Sequence, residues 1–176
     1  MSKVLIVGGG HAGANTAFAL RKDGFDGEIT IISDEGYLPY HRPPLSKDFL
    51  KQNLAIEKLS FKSANFYEEQ NISINLNTQI DSIDLEFNHA TTKDVSFNFD
   101  YLVFATGASP RLLPMENSDA KNLFYLRQIT DVLSIQESIS SAKNIVLIGG
   151  GYIGLEVASA MIELGLNVII LEAEDR

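Results

Sequence analysis

The residues of this chain whose types and spacing could do chemistry are two glycine triplets and the acids that follow them. Gly8, Gly10 and Gly13 stand as G-x-G-x-x-G, and Gly149, Gly151 and Gly154 repeat the pattern. In such a triplet the first glycine makes a tight turn, the second lets a pyrophosphate approach the backbone, and the third lets a helix lie close to a strand. Phosphates then rest on the helix N-terminus, where unpaired N–H groups and the dipole favour negative charge. One triplet alone also occurs in ordinary turns. Here each is followed, roughly 20 residues on, by an acid that could hold ribose hydroxyls: Asp34, with Glu35 beside it, in the first copy and Glu172 in the second. Glu172 would accept from a free 2′-hydroxyl and repel a 2′-phosphate, which favours NAD over NADP; Arg176 nearby pulls the other way. His11, Ala12, Tyr152 and Ile153 fill the variable turn positions.

The elements that must position these residues form an internal repeat. Ile6–Gly13 and Leu147–Gly154 are copies; Ala17 then matches Ala158, and Gly24 matches Gly165. The apolar runs Ile29–Ile32 and Val168–Leu171 supply second strands, so each copy reads strand, glycine turn, helix, strand, acid. Between the copies, Tyr37–Lys47 is expected to be an ordered loop, because Pro43 and Pro44 forbid a continuing helix or central strand, and a short helix is expected from Ser46. Alternation over Ile72, Ile74, Leu76, Ile80, Ile83, Leu85, Val95, Phe97 and Phe99 predicts short antiparallel strands. The strand Tyr101–Ala105 follows, closed by Thr106 and Gly107, and a helix over Leu133–Ser141 is expected to be capped by Thr130 or Asp131. The fold class is α/β: a Rossmann-like domain with a parallel sheet and a small antiparallel meander over residues 1–113, then the start of a second Rossmann domain over 114–176.

Composition narrows the function. With 45% hydrophobic residues, 21% charged and no apolar run of bilayer length, the chain reads as a globular, cytoplasmic protein with no membrane partner. The formal charge of −9 argues against nucleic acid, whose binders concentrate Lys and Arg. The absence of cysteine excludes thiolate ligands and a redox-active Cys pair, so redox chemistry must run through a bound cofactor. His11, His41 and His89 show no ligand spacing, and no metal site is expected.

Two Rossmann units, the loop Arg42-Pro-Pro-Leu-Ser-Lys47, the turn Ala105-Thr-Gly107 and the tract Gly149-Gly-Gly-Tyr-Ile-Gly-Leu-Glu-Val-Ala158 together resemble the FAD-dependent pyridine nucleotide-disulfide oxidoreductases. Among these the chain is most similar to the ferredoxin reductase type that serves oxygenase systems, the putidaredoxin and rubredoxin reductase group. The resemblance implies that the first unit binds FAD and the second NAD. It puts Ala12 in the phosphate turn, Asp34 or Glu35 on the ribose, and Arg42, Lys47, Ile80, Ala105, Thr106, Gly107 and Arg127 around the flavin cofactor. It also implies that Lys47 lies beside the reactive edge of the flavin, where a cation stabilises the anionic reduced ring. Glu156 would face flavin and nicotinamide and could pair with Lys47; read from the sequence alone, this acid could instead compensate the helix dipole.

The implied activity is electron transfer from NADH through FAD to an iron–sulfur protein of ferredoxin or rubredoxin type. The alternative is a nucleotide-binding module without turnover, either similar to apoptosis-inducing factor or an inactive fragment that retains only part of the FAD site. The chain stops just after Glu172, and the family's remaining NAD-domain segments, its later Gly-Asp motif and its C-terminal interface domain are missing, so a fragment is expected. The two strands at Ile145 and Val168 with one helix between them are expected to leave Val168, Ile169 and Ile170 uncovered, with the C-terminal part loosely folded or buried by self-association.

Overall fold

The computed structural model describes residues 1–114, 116 and 120–175, so Arg176 lies outside the described residues. Packing divides the chain into two units, the first comprising Met1–Tyr40 with Ser60–Ala108, the second His41–Leu59 with the chain from Ser109 onward. Tyr40 and Ser60 form an antiparallel bridge, so the chain leaves and re-enters the first unit at one place.

In the first unit, strand β1 (Lys3–Val7) buries Val4, Leu5 and Ile6 in succession, as a parallel strand covered on both faces must. Helix α1 (His11–Lys22) carries the chain to β2 (Glu28–Ile32), which pairs with β1 in parallel from Lys3↔Glu28 to Val7↔Ile32. Helix α2 (Ala64–Glu69), capped by the Ser63 hydroxyl, leads to β3 (Ile72–Asn75), and β7 (Tyr101–Phe104) lies on the far side of β1. The parallel sheet has the order β3-β2-β1-β7. An antiparallel strand is the sequence expectation for Ile72–Leu76, but β3 is parallel to β2. A period of two reports alternating burial and says nothing of strand direction, which α2, a helix the sequence reading did not anticipate, decides here.

One face of the sheet carries Val4, Ile6, Ile29, Ile31 and Ile72 together with Ala17 of α1 and Tyr67 of α2. The other places Leu5 and Ile32 against Ala90 and Phe99. Ala90 belongs to the antiparallel meander β4 (Ser82–Asp84), β5 (His89–Thr91) and β6 (Ser96–Asn98), which stands where the sequence predicts it.

In the second unit, β8 (Asn144–Ile148) and β9 (Asn167–Leu171) pair in parallel around helix α4 (Tyr152–Glu163). Helix α3 (Ile129–Ile139) begins earlier than expected. Its cap is Gln128, in a capping box whose other half is Asp131, so neither Thr130 nor Asp131 is the cap residue itself. The segment 41–59 contributes two short 3-10 turns, Pro43–Ser46 and Ile56–Leu59. The first ends at Ser46 where a helix was expected to start. Both prolines sit in its opening positions, where their fixed φ suits a helical turn and their missing N–H groups have no partner to lose. Ile169 is 58% exposed and Ile170 37%, while Val168 is half-buried, so the two-stranded sheet shows the uncovered apolar surface its strand count implies.

Candidate functional site

The first unit builds its glycine turn at the C-terminal end of β1. Gly8 has φ +119°, a conformation that L side chains rarely adopt, and its N–H donates to the Ile32 carbonyl at 2.8 Å. An added Cβ would lie 2.1 Å from the Ala105 carbonyl oxygen. Gly13, buried in the first turn of α1, would place a Cβ 1.9 Å from the Gly8 carbonyl oxygen, so the helix rests directly on the strand end. The two outer glycines therefore shape the turn and the helix contact as the motif requires.

What the turn leaves available is a set of donors. Gly10 caps α1 with no side-chain hydrogen bond, and no acid stands in the first turn. Gly151 caps α4 in the same way, again with no acid in the first turn. By contrast α2 has its Ser63 cap and α3 its capping box. The two helices without side-chain caps are the two that follow glycine triplets. A helix start without a side-chain cap suits an anionic acceptor, and phosphate oxygens are one kind of group that such a terminus can receive.

The acids differ between the copies. In the second unit Glu172 directly follows β9; its Oε2 accepts from Gly150 N at 2.7 Å and its Oε1 from Ala173 N and Glu174 N at 2.9 and 3.1 Å. A fixed anion therefore stands at the mouth of the second turn. In the first unit the residue directly after β2 is Ser33, buried, and its Oγ would meet a Cβ on Gly9 at 2.6 Å. Asp34 is exposed; Glu35 is half-buried and accepts from the Tyr40 hydroxyl at 2.5 Å. The residue facing the glycine turn is thus an acid in one copy and a serine in the other. Three residues separate Gly24 from Glu28 at the start of β2, and one separates Gly165 from Asn167 at the start of β9, so equal counting along the two copies misaligns the strand ends.

The structure brings Gly8, Gly10, His11, Ala12 and Gly13 together with Ala105 in the first unit, where the Ala105 N–H donates to Val7 O at 2.8 Å. Thr106 and Gly107 are exposed beyond it, His11 stacks edge-on against Phe61, and Ile80 packs beside Leu5 and Ile32 on the meander face. The second unit holds Gly149, Gly151, Tyr152, Ile153, Gly154 and Glu172 around the start of α4. Elsewhere in the same unit the Arg42 guanidinium donates to the Arg127 carbonyl at 2.8 Å.

Lys47 and Glu156 form the most specific side-chain arrangement. Lys47 Nζ lies 2.6 Å from Glu156 Oε1, and the Ser46 hydroxyl donates to Glu156 Oε2 at 2.5 Å. These two donors, the lysine first, hold the Glu156 carboxyl below its ordinary value against a smaller opposing effect of burial. Two turns further along α4, Glu163 Oε2 meets Lys51 Nζ at 2.8 Å, and Lys51 Nζ also lies 3.4 Å from Asp48. Sequence reasoning missed Ser33, Tyr40 and Ser46. Ser46 could have been found, since it precedes Lys47 inside a proline-stiffened motif. Among the described residues no group of three or more His, Cys, Asp or Glu could hold a metal, and no helix is long and apolar enough to cross a membrane.

The family model for pyridine nucleotide-disulphide oxidoreductases matches residues 2–176. The chain belongs to that family. Within the pyridine nucleotide-disulphide oxidoreductases it is 43% identical over 174 residues to a rubredoxin-NAD(+) reductase of Pseudomonas putida, covering 98% of this chain and 45% of that relative. Among solved structures it superposes on the ferredoxin reductase of the CYP199A2 system from Rhodopseudomonas palustris with TM-score 0.96 at 36% identity, covering 100% of this chain and 44% of that one. It superposes on putidaredoxin reductase in its covalent complex with putidaredoxin with TM-score 0.94 at 37% identity, covering 99% and 43%. The chain thus spans less than half the length of the relatives it matches.

Proposed function

We propose that the protein is the nucleotide-holding part of a flavoprotein oxidoreductase that passes electrons from NADH through FAD to an iron–sulfur protein of ferredoxin or rubredoxin type. The observation that carries this reading is the pairing of each glycine turn with a helix start free of side-chain caps and acids. Membership of a family whose relatives include ferredoxin and rubredoxin reductases gives the duplication its meaning. By role the chain divides into an FAD-binding domain over 1–113 and an NAD-binding domain over 114–176, in the cytoplasm.

The chemistry that bound FAD supplies is acceptance of a hydride and release of single electrons, which needs no cysteine. The α1 N-terminus with Gly10, His11 and Ala12 receives its phosphates, and Asp34 or Glu35 its ribose. The α4 N-terminus receives the NAD phosphates. Glu172, pinned by three backbone donors, accepts from the ribose 2′-hydroxyl and repels a 2′-phosphate. Lys47 and Glu156 orient the hydride transfer, with no covalent or acid–base step.

The test is colour. The chain mixed with FAD and freed of excess is expected to be yellow and to bleach with NADH faster than with NADPH. A colourless protein would refute the FAD assignment. Yellow protein indifferent to NADH would favour a binding module without turnover, and equal rates with NADPH would refute the role given to Glu172.

A further inference from the structure

We infer that Ser46 is a positioning residue for Glu156, fixing the carboxylate so that one oxygen is committed to Lys47. This rests on the role proposed for the Lys47–Glu156 pair. The pair by itself is a weak device for orientation. Its side chains are 47% and 36% exposed, and an ion pair so placed is screened and loses side-chain entropy. The terminal torsion of a glutamate is also broad, leaving the carboxylate free to rotate. Ser46 removes that freedom.

The Ser46 side chain is buried at the end of the Pro43–Ser46 turn, whose two prolines stiffen the backbone that carries it. A hydroxyl has one proton to donate. Its oxygen lies 2.5 Å from Glu156 Oε2 and 3.3 Å from the Pro43 carbonyl, so the proton belongs to the carboxylate. An O–H donor at that distance from a carboxylate makes a strong, charge-assisted bond. With Oε2 so held, Oε1 faces Lys47 Nζ at 2.6 Å. Further along α4, Lys51 on Glu163 keeps the segment in register, since residues seven apart lie on one face of a helix.

The charged groups paired between the segment and α4 are Lys47 and Lys51 from the segment, with Asp48 beside Lys51, and Glu156 and Glu163 from α4. Of these, Lys47 touches Glu156 directly, so removal of the Ser46 hydroxyl leaves Lys47 as the remaining contact that favours the ionised carboxylate. The Glu156 midpoint must then rise, and any activity that needs this carboxylate charged must lose its acid side at a higher pH.

The measurement is a carbon-13 titration of the Glu156 carboxyl in the full chain, assigned by Glu156→Gln. In Ser46→Ala the midpoint is expected to move up, and in Ser46→Thr, which keeps the hydroxyl, to return toward that of the unaltered protein. In the FAD-loaded protein Ser46→Ala is expected to slow flavin reduction by NADH about twofold to tenfold, the span of one hydrogen bond, with its acid limb displaced upward and the Kd for NADH unchanged. Identical carboxyl midpoints in Ser46→Ala and the unaltered protein overturn the inference. A moved midpoint with flavin reduction untouched by both Ser46→Ala and Glu156→Gln sustains the positioning by Ser46 and removes instead the role proposed for the pair.

Discussion

Replacing Gly13 by alanine tests whether the third glycine of the first triplet is there for contact between helix and strand. The added Cβ would lie 1.9 Å from the Gly8 carbonyl oxygen, where ordinary contact begins at 3.4 Å, so the first turn of α1 must move by about 1.5 Å. The oxygen is backbone, on a residue at φ +119°, and cannot swing aside as a flexible side chain would. Ala14 and Ala17, both fully buried, travel with the helix and part from their neighbours. Overpacking of this kind costs ~1–3 kcal/mol, partly offset by the ~1 kcal/mol that alanine gains over glycine inside a helix. Because the clashing atom is backbone, the upper end of the overpacking range applies, and a net loss of about 2 kcal/mol is expected. In a unit of this size each kcal/mol is worth roughly 4–8 °C in Tm. Thermal melting by circular dichroism reads the first, and urea unfolding should show a lower midpoint at unchanged slope. Gly151→Ala is the control, because a Cβ there meets nothing within 4 Å. A Tm for Gly13→Ala equal to or above that of the unaltered protein would refute the reasoning, since helix propensity would then outweigh the contact.

Gly151→Val is expected to leave folding intact and to abolish NADH binding, because the branched side chain enters space that is empty of protein and that we assign to the pyrophosphate; titration with NADH would show a normal Kd if that assignment were wrong. Tyr67→Phe is expected to be neutral or slightly stabilising at neutral pH, because the buried Tyr67 hydroxyl has no hydrogen-bond partner among the described residues. Burial pushes its pKa from 10.0 up to about 12, so the fold favours the neutral phenol. The unaltered protein should therefore lose stability relative to Tyr67→Phe as pH rises between those two values, and parallel urea midpoints across that range would show the hydroxyl to be solvated or bonded.

Much of the fold was legible because its constraints are local. A strand that must turn at Gly8 and a helix that must touch it at Gly13 leave a fixed spacing in the chain, and the same spacing recurs at Gly149 and Gly154. The strand Tyr101–Phe104 was readable from its apolar run alone. Features set by distant partners were not. Ile72 and Ile74 alternate identically whether β3 runs with β2 or against it, and only the crossover through α2 decides. The serine that faces the first glycine turn was hidden by a difference of two residues in the connection before the second strand. The start of α3 was missed because Gln128 caps it with the help of Asp131, and a Gln in that place is a weaker signal than Ser, Thr, Asp or Asn.

The segment 41–59 shows why chain order is a poor guide to which residues act together. By position it interrupts the first unit, yet its partners lie in the second: Lys47 and Ser46 on Glu156, Lys51 on Glu163, and the Gln136 amide on the Phe49 carbonyl. The ion pairs, each with a partner more than a third exposed, contribute little of the energy. Burial does: Leu45, Phe49, Leu50 and Leu59 are each withdrawn from water, as are Ile129 and Val132 of α3 and Met161 of α4. Each large apolar side chain so buried is worth ~1.5–3 kcal/mol relative to exposure. The two lysines, four residues apart in the chain, meet two glutamates that lie two turns apart on one face of α4. Because α4 begins at the second glycine turn, the backbone that would receive a nucleotide's phosphates and the carboxylate that holds Lys47 belong to one rigid helix. The lysine most suited to electrostatic work is thereby tied, through a single residue, to the element we propose as the receiver of phosphate.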